Sequence, residues 1–485
     1  MREKILEALK DETKGQDINT INSKIQLKGV EGVKELETTL AELVKEGIVH
    51  MSKNHEYLLM SNTKSLRVGI LKINKNGNGF VECEPEPVFV HNDDLLGAIN
   101  GDFVEVEIKT RLSDPNPEGY IRNVLKRDLK TVVGEIVKDK KNLAFKADDE
   151  KLNIAVKLTK DSMKGCVEGH KVIVSIIKEI GNRTFLGKVE RIIGHKNDPG
   201  VDILTIAAKH SIETIFSEAV LNELKNIPDT VCENDLIGRT DLTKEMIFTI
   251  DGDDTKDIDD AISVKKDGNN YILGVHIADV SNYAKVGTAL YDSAFSRGTS
   301  SYLADTVIPM LPHQLSNGIC SLNPDVDRCS ISCVMEIDKN GKLVDIDIFK
   351  SIIHSRIQMT YKKVNKILDE NIVDEKYKLY VDDLKLMKEL ADILHNMRIK
   401  RGSLDFDREE IKIETDINGK VTSISKRTSG TGENLIEDFM LMANECVATY
   451  IYNMGLNSIY RVHDLPSEER LIKTINVIKN YGEKL

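Results

Sequence analysis

The stretch TIDGDDTKDIDDAISV, residues 249–264, carries six aspartates within ten positions: Asp251, Asp253, Asp254, Asp257, Asp259 and Asp260. Each carboxylate raises the cost of ionising its neighbours, so such crowding needs either bulk solvent or a counter-charge. A solvated acidic loop is the ordinary solution. The alternative is a cation site: a pocket of carboxylate oxygens suits Mg2+, which keeps water and substrate phosphate among its ligands. Two such ions about 4 Å apart can activate a water and stabilise the leaving oxygen of a phosphodiester. An EF-hand calcium loop fits poorly, because with Asp251 as first ligand Lys256 falls where the turn needs glycine and Ile262 where the bidentate glutamate belongs.

The flanking residues turn this run into a possible pocket. AISVKK and YILGVHIA are β-rich runs separated by DGNN, a hairpin signal. A turn centred between Gly268 and Asn269 sets Ile258 opposite Asp279, so Asp279 is expected to return to the end that holds the aspartates.

The elements that must position these groups belong to a chain of 485 residues, enough for three or four domains. A hydrophobic share of 40% and a charged share of 30% exclude the disordered and fibrous classes. The opening MREKILEALKDE is amphipathic and lacks the apolar core of a signal peptide. No apolar run approaches the length of a membrane span. Seven scattered cysteines, with only Cys329 and Cys333 close together and without zinc-site spacing, read as reduced thiols of a cytoplasmic protein. The net charge of −12 argues against a phosphate-rich partner unless basic residues are concentrated locally.

Residues 1–64 read as helices and a short hairpin, the pattern of a winged helix, a module that touches nucleic acid or protein. Two copies of a β-rich unit follow. LRVGILKINKNGNGFVEC (66–83) aligns with TVVGEIVKDKKNLAFKAD (131–148), and GDFVEVEIK (101–109) with GHKVIVSII (169–177), which predicts tandem small barrels over 65–129 and 130–205. NGFVEC and VFVHNDD place Phe80, Phe89 and His91 on neighbouring strands. These motifs resemble the aromatic strands of cold-shock domains, OB-type barrels on which single-stranded bases stack; burial in the barrel core is the other use of such residues. The second copy keeps only Phe145 and is expected to bind more weakly. Lys109, Arg111, Arg122, Lys126, Arg127 and Lys130 between the copies form an expected basic stripe. From residue 206 the texture becomes α+β, with helical patterns at 361–400 and 433–452 and strands at 261–266, 271–279 and 330–338.

The acidic stretch, GVHIADVS, RGTSSYLADTVIPMLPHQLSNGICSLNPDVDRCSISCVMEID, MTYKKV and LIEDFMLMAN occur in an order that closely resembles the catalytic domain of the ribonuclease II and ribonuclease R family. The winged helix and paired barrels resemble the ribonuclease R branch in particular. The resemblance implies a multidomain protein: a winged helix, two OB-type cold-shock-like β-barrels and an α+β ribonuclease II-type catalytic domain over 206–485. The activity it implies is a processive, Mg2+-dependent, hydrolytic 3′-to-5′ exoribonuclease releasing nucleoside 5′-monophosphates from single-stranded RNA 3′ ends, monomeric and without a DNA substrate. It gives Asp251 and Asp260 to metal, Asp257 to positioning it, and Asp259 to the chemical step, all four being acidic site residues. Asp253 and Asp254 fall at variable positions and read as solvated. Tyr302 matches the tyrosine that packs on the terminal nucleotide, Phe406 a stacking partner, and Tyr361 and Glu437 the pair near the ribose, where RNA can be told from DNA. Family members continue beyond the point matching Leu485 with an arginine-bearing segment and a C-terminal OB-type domain. The chain is therefore expected to be C-terminally incomplete, and RNA binding without turnover is the competing expectation. A third reading, a DNA-binding regulator, rests on residues 1–64 alone.

Overall fold

The computed structural model describes all residues except 28, 111–115, 141, 305, 405–409, 417–418 and 483–485. The chain forms two compact units, one of residues 1–213 and one built from residues 214–416 and 421–485.

The first unit opens with helices Arg2–Leu9, Ile18–Ile25 and Gly29–Lys45, then a hairpin of Val49–Met51 and Tyr57–Leu59. Asp17 starts the second helix by accepting bonds from the Asn19 and Thr20 amides at 2.8 and 3.0 Å. Ile5, Leu9, Ile21, Leu36, Leu40, Leu43 and Val49 bury the apolar faces of these helices together.

Leu66–Ile73, Gly79–Glu82, Val88–Val90, Glu118–Lys126 and Phe103–Ile108 then close into a barrel. Strict alternation along Gly79–Glu82 sends Gly79 and Val81 inward and Phe80 outward. In the second copy, five strands run in the order Ala155–Leu158, Thr184–His195, His170–Gly181, Thr131–Asp139, Asn142–Ala147. Among the described residues, only the first copy is closed by strand hydrogen bonds. The aligned glycines Gly69 and Gly134 do the same work in both copies. A Cβ on Gly69 would meet the Glu82 carbonyl at 2.1 Å, and one on Gly134 the Lys146 carbonyl at 2.2 Å, so each lets a partner strand fold close over it.

In the second unit a five-stranded sheet runs Thr240–Asp241, Leu343–His354, Asp327–Ile337, Asn270–Ala278, Asp260–Asp267. Helices Tyr361–Glu370, Val381–Arg401 and Thr431–Asn453 cover one face, with Phe248, Leu273, Met335, Met387 and Phe439 in the core between. The single helical pattern over 361–400 is interrupted, because Asn371 caps the first helix in the left-handed conformation (φ 55°). A smaller cluster including Ile247, Ile258, Ala261, Ala278, Leu322 and Ile353 lies elsewhere in this unit. Helix Glu468–Asn480 buries none of its residues. No helix among the described residues is long and apolar enough to cross a membrane.

Gly69→Ala and Gly134→Ala are each expected to lower stability by about 1–3 kcal/mol through overpacking, read as a reduced urea midpoint. An unchanged midpoint contradicts the close strand approach.

Candidate active site

The acidic loop is pinned at both ends by strands. Asp251 ends the strand Thr249–Asp251, which pairs in parallel with Gln358–Thr360 so that Asp251 lies opposite Thr360. Asp260 opens the strand Asp260–Asp267, which pairs antiparallel with Asn270–Ala278, Asp260 opposite Ile277 and Asp267 opposite Asn270. The hairpin turn is therefore centred where its residues indicated, between Gly268 and Asn269.

Between those ends the loop backbone is gripped from two sides. The Ile258 amide donates to Ser321 Oγ at 3.0 Å, and that hydroxyl donates to the Lys256 carbonyl at 2.8 Å. The Leu322 amide reaches the Ile258 carbonyl at 2.9 Å, and Arg328 Nε holds the Ser321 carbonyl at 2.9 Å. On the other side Gln358 Nε2 donates to the Thr255 carbonyl at 3.2 Å, while Thr255 Oγ1 and the Gly252 amide donate to Asp251 Oδ1 at 3.0 and 2.6 Å. Ser321, Arg328 and Gln358 were not singled out from sequence. Their partners lie 63 or more residues away along the chain for Ser321 and 103 for Gln358, beyond the reach of local pattern.

The carboxylates of this loop disturb one another. Burial first, then Asp251 and Asp259, pushes Asp260 up to about 6. Asp259 is raised for the same reasons: withdrawal of its carboxyl from bulk water first, then Asp257 and Asp251. Asp253, Asp254 and Asp259 are exposed as residues, and what sets Asp259 apart is that its carboxyl lies against Asp257 and Asp251 and is partly withdrawn from water. Asp279 is a correction. It sits at the end of the hairpin, but its buried carboxylate forms an ion pair with Arg239 at 2.5 Å and accepts from Ser281 Oγ at 2.6 Å. Although burial opposes ionisation, Ser281 and Arg239 together hold Asp279 below the usual carboxylate range. It is therefore already compensated and does not join the crowded set. His276 of the same strand is buried, bonded to Ser332 and Ser263 at 2.7 and 3.2 Å, and drawn down to about 4 by burial, which makes it a neutral core histidine.

Tyr302 does reach the loop: its hydroxyl donates to Asp257 Oδ2 at 3.3 Å while the residue stays 69% exposed, leaving its ring open to a ligand. Tyr361 follows Thr360 directly and packs partly into the core beneath the helices. Glu437 is exposed on Thr431–Asn453, a helix packed against the one that Tyr361 opens. Phe406 lies outside the described residues.

Among the described residues no group of three or more acidic, histidine or cysteine side chains is gathered closely enough to hold a metal ion by itself. Such a group is not what Mg2+ requires, since it binds through one or two carboxylates and retains water. The donor set fits it in chemistry: hard oxygens, mutually repelling, with Thr360 Oγ1 opposite Asp251 buried and without a hydrogen-bond partner.

In the first unit, Phe80 is 41% exposed, and the Phe80–Phe89 and Phe89–His91 ring centroids lie 5.1 and 4.9 Å apart, giving a continuous aromatic strip. Phe145 instead packs partly against its own core. The expected basic stripe is largely spent internally: Lys109 pairs with Asp94, Arg122 with Glu107, Arg127 with Asp102 and Lys130 with Asp128, at 2.7, 3.0, 2.7 and 3.5 Å. Arg111 lies outside the described residues.

The acidic loop lies in the α+β unit and the aromatic strip in the β-modules that precede it in the chain, and family profiles match each of these parts. The RNB domain profile matches residues 239–485, the ribonuclease B OB domain profile residues 69–124 and a cold shock domain profile residues 145–217. Ribonuclease R of Thermotoga maritima is 39% identical over 98% of this chain and 67% of its own length. Ribonuclease R 1 of Lactococcus lactis is 37% identical over 100% of this chain and 62% of its own. The structure of Mycoplasma genitalium RNase R with ribose-methylated single-stranded RNA aligns with a TM-score of 0.79 at 27% identity, over 85% of this chain and 66% of that one. The chain belongs to the ribonuclease R family. It spans about two thirds or somewhat less of the length of these relatives.

Ser321→Ala leaves the buried Ile258 amide unpaired and is expected to cost about 1–3 kcal/mol, measured by denaturant unfolding; no loss contradicts the grip on the loop. A second expectation concerns pH. The folded protein holds the Asp260 proton more tightly than the unfolded chain, so metal-free stability falls as pH rises from 3.8 through about 6. Asp260→Asn in EDTA at about pH 7.5 is expected to unfold later than the unaltered chain, by up to about 3 kcal/mol. An earlier unfolding contradicts the assigned crowding.

Proposed function

We propose that the chain is a processive, Mg2+-dependent 3′-to-5′ exoribonuclease that hydrolyses single-stranded RNA to nucleoside 5′-monophosphates. The observation that carries this reading is the uncompensated set Asp251, Asp257, Asp259 and Asp260 inside the segment matched by the RNB profile. Family membership over nearly the whole chain supports it.

In this reading Asp251 and Asp260 hold Mg2+, two ions during turnover, Asp257 orients the set, and Asp259 serves the chemical step. Bound Mg2+ supplies charge neutralisation and a more acidic water. Hydrolysis breaks the P–O3′ bond of the last phosphodiester. The oxygen of water stays on phosphorus, the 5′-monophosphate leaves, and the shortened strand keeps a 3′-hydroxyl. Tyr302, held by Asp257 with its ring exposed, is read as the platform for the terminal nucleotide, and Phe406 as a stacking partner. Tyr361 and Glu437 are read as the ribose contacts that exclude DNA. Phe80, Phe89 and His91 stack bases upstream in the sequence of events.

A second reading, RNA binding without turnover, draws on a specific observation. Ile277 and Ile331, aligned with Asp260 across neighbouring strands, are 41% and 40% exposed, so the sheet beside the acids is open to water. Solvent there weakens the electrostatic contribution that a dry site provides.

With Mg2+ and a 5′-labelled single-stranded RNA, the unaltered chain is expected to release mononucleotides and spare DNA of the same sequence. Asp259→Asn is expected to abolish release while RNA binding in EDTA stays within about twofold. Binding without any release by the unaltered chain selects the second reading. Phe80→Ala is expected to weaken RNA binding by about 1–3 kcal/mol; unchanged affinity removes the strip from the RNA path.

A further inference from the structure

A cavity of about 700 Å3 separates the closed barrel from the second β-module, with helix Val201–Lys209 contributing Lys209 to its wall. Its most unusual feature is Arg183, in the two-residue turn between His170–Gly181 and Thr184–His195. Arg183 adopts φ +48°, a left-handed conformation that side chains other than Gly, Asn and Asp seldom occupy and that costs on the order of 1–2 kcal/mol. The turn is held there by docking: Asn182 Oδ1 packs so tightly on the barrel that a Cβ on Gly97 would meet it at 2.4 Å.

The guanidinium that this strain presents has nothing to bind. Arg183 Nε is buried without a hydrogen-bond partner among the described residues. Its position is electrostatically unfavourable, because burial first and then the charge of Arg127 oppose its protonated form. Arginine nevertheless remains charged. Arg127 has its own counter-ions in Asp102 and Glu179, at 2.7 and 2.6 Å.

Three lysines, Lys75, Lys151 and Lys209, line the same cavity. Of the three acids on its wall, Asp148 pairs with Lys171 at 2.8 Å, Asp149 accepts from the Lys151 backbone amide at 3.1 Å and Glu150 is exposed, so two carboxylates without an ion pair face four cations. Asn92, also on the wall, follows His91 directly, so the cavity begins one residue beyond the aromatic strip. A planar guanidinium fork matches the oxygens of a phosphodiester, and lysines add charge without demanding geometry.

We propose that this inter-module cavity is a binding site for the backbone phosphate of single-stranded RNA, with Arg183 as its main contact and Lys75, Lys151 and Lys209 around it. The proposal rests on the reading of the chain as an RNA-binding ribonuclease. It locates available positive charge in a protein of net charge −12, in place of the paired cations between the two β-modules.

The test is fluorescence anisotropy of the full 485-residue chain with a labelled single-stranded oligoribonucleotide in EDTA, over a series of KCl concentrations. Arg183→Gly removes the guanidinium while suiting the backbone, so folding is expected to be kept or improved. Affinity is expected to fall about tenfold, and the slope of log affinity against log salt to become shallower by about 0.7, one phosphate contact on a single strand. Lys75→Gln is expected to act in the same direction with a smaller loss. The same slope change is expected with single-stranded DNA, because a phosphate contact does not read the sugar. Phe80→Ala, by contrast, is expected to weaken binding with the slope unchanged. If the unaltered chain binds RNA but Arg183→Gly and Lys75→Gln leave affinity and slope alone, the proposal falls and the RNA reading stands. If the unaltered chain binds no RNA, both fall.

Discussion

The second unit is organised around one constraint, the repulsion among carboxylates held on a single loop. A free loop would relax it by turning acids outward, as Asp253 and Asp254 do. Asp257 and Asp260 stay half-buried and Asp259, though exposed as a residue, follows directly on the held Ile258, because the backbone between them is fixed. Ser321 bonds both the amide of Ile258 and the carbonyl of Lys256, and Leu322 closes a third bond. Buried backbone groups are costly to leave unpaired, so the segment 320–322 sets the loop more firmly than the loop could set itself. The raised carboxyls of Asp259 and Asp260 reflect withdrawal from water first and the charges of their neighbours second. An added cation reverses the balance, turning repulsion into ligation.

The same sheet shows what a compensated carboxylate looks like. Asp279, on the strand next to Asp260, is more deeply buried than any acid of the loop but is matched by Arg239 and Ser281. It therefore ionises readily and serves structure, since a buried pair of this kind is costly to break rather than available to a ligand. The first unit draws a parallel distinction among its cations. Arg127, with Asp102 and Glu179, joins the two β-modules, whereas Arg183 stands a short distance away without such partners.

Much of the fold was legible because it is local. The hairpin Asp260–Asp267 with Asn270–Ala278 followed from alternation and a DGNN turn, and its register matches that reading. The repeat was visible in aligned β-runs, and Gly69 and Gly134 give it a physical basis in close strand approach. What could not be read depended on distant contacts or on side-chain direction. Register placed Asp279 at the correct end of the hairpin, but nothing local indicates that Arg239 would claim it. Spacing counted the cations between the β-modules, yet not that strand pairing would bring Glu107 and Asp102 to Arg122 and Arg127. Ser321 and Gln358 act on backbone atoms far along the chain, a role that leaves no mark on periodicity.

The most direct test of the central claim is the proton balance of Mg2+ binding, measured by titration calorimetry in buffers of differing ionisation enthalpy. If crowded carboxylates are the binding groups, Mg2+ must displace protons near pH 6, where Asp260 is about half protonated, and far fewer near pH 8. Proton release near pH 6 that vanishes near pH 8, and that Asp260→Asn reduces, is the predicted result. Mg2+ binding with no proton release at either pH, or no binding at all, would contradict the account.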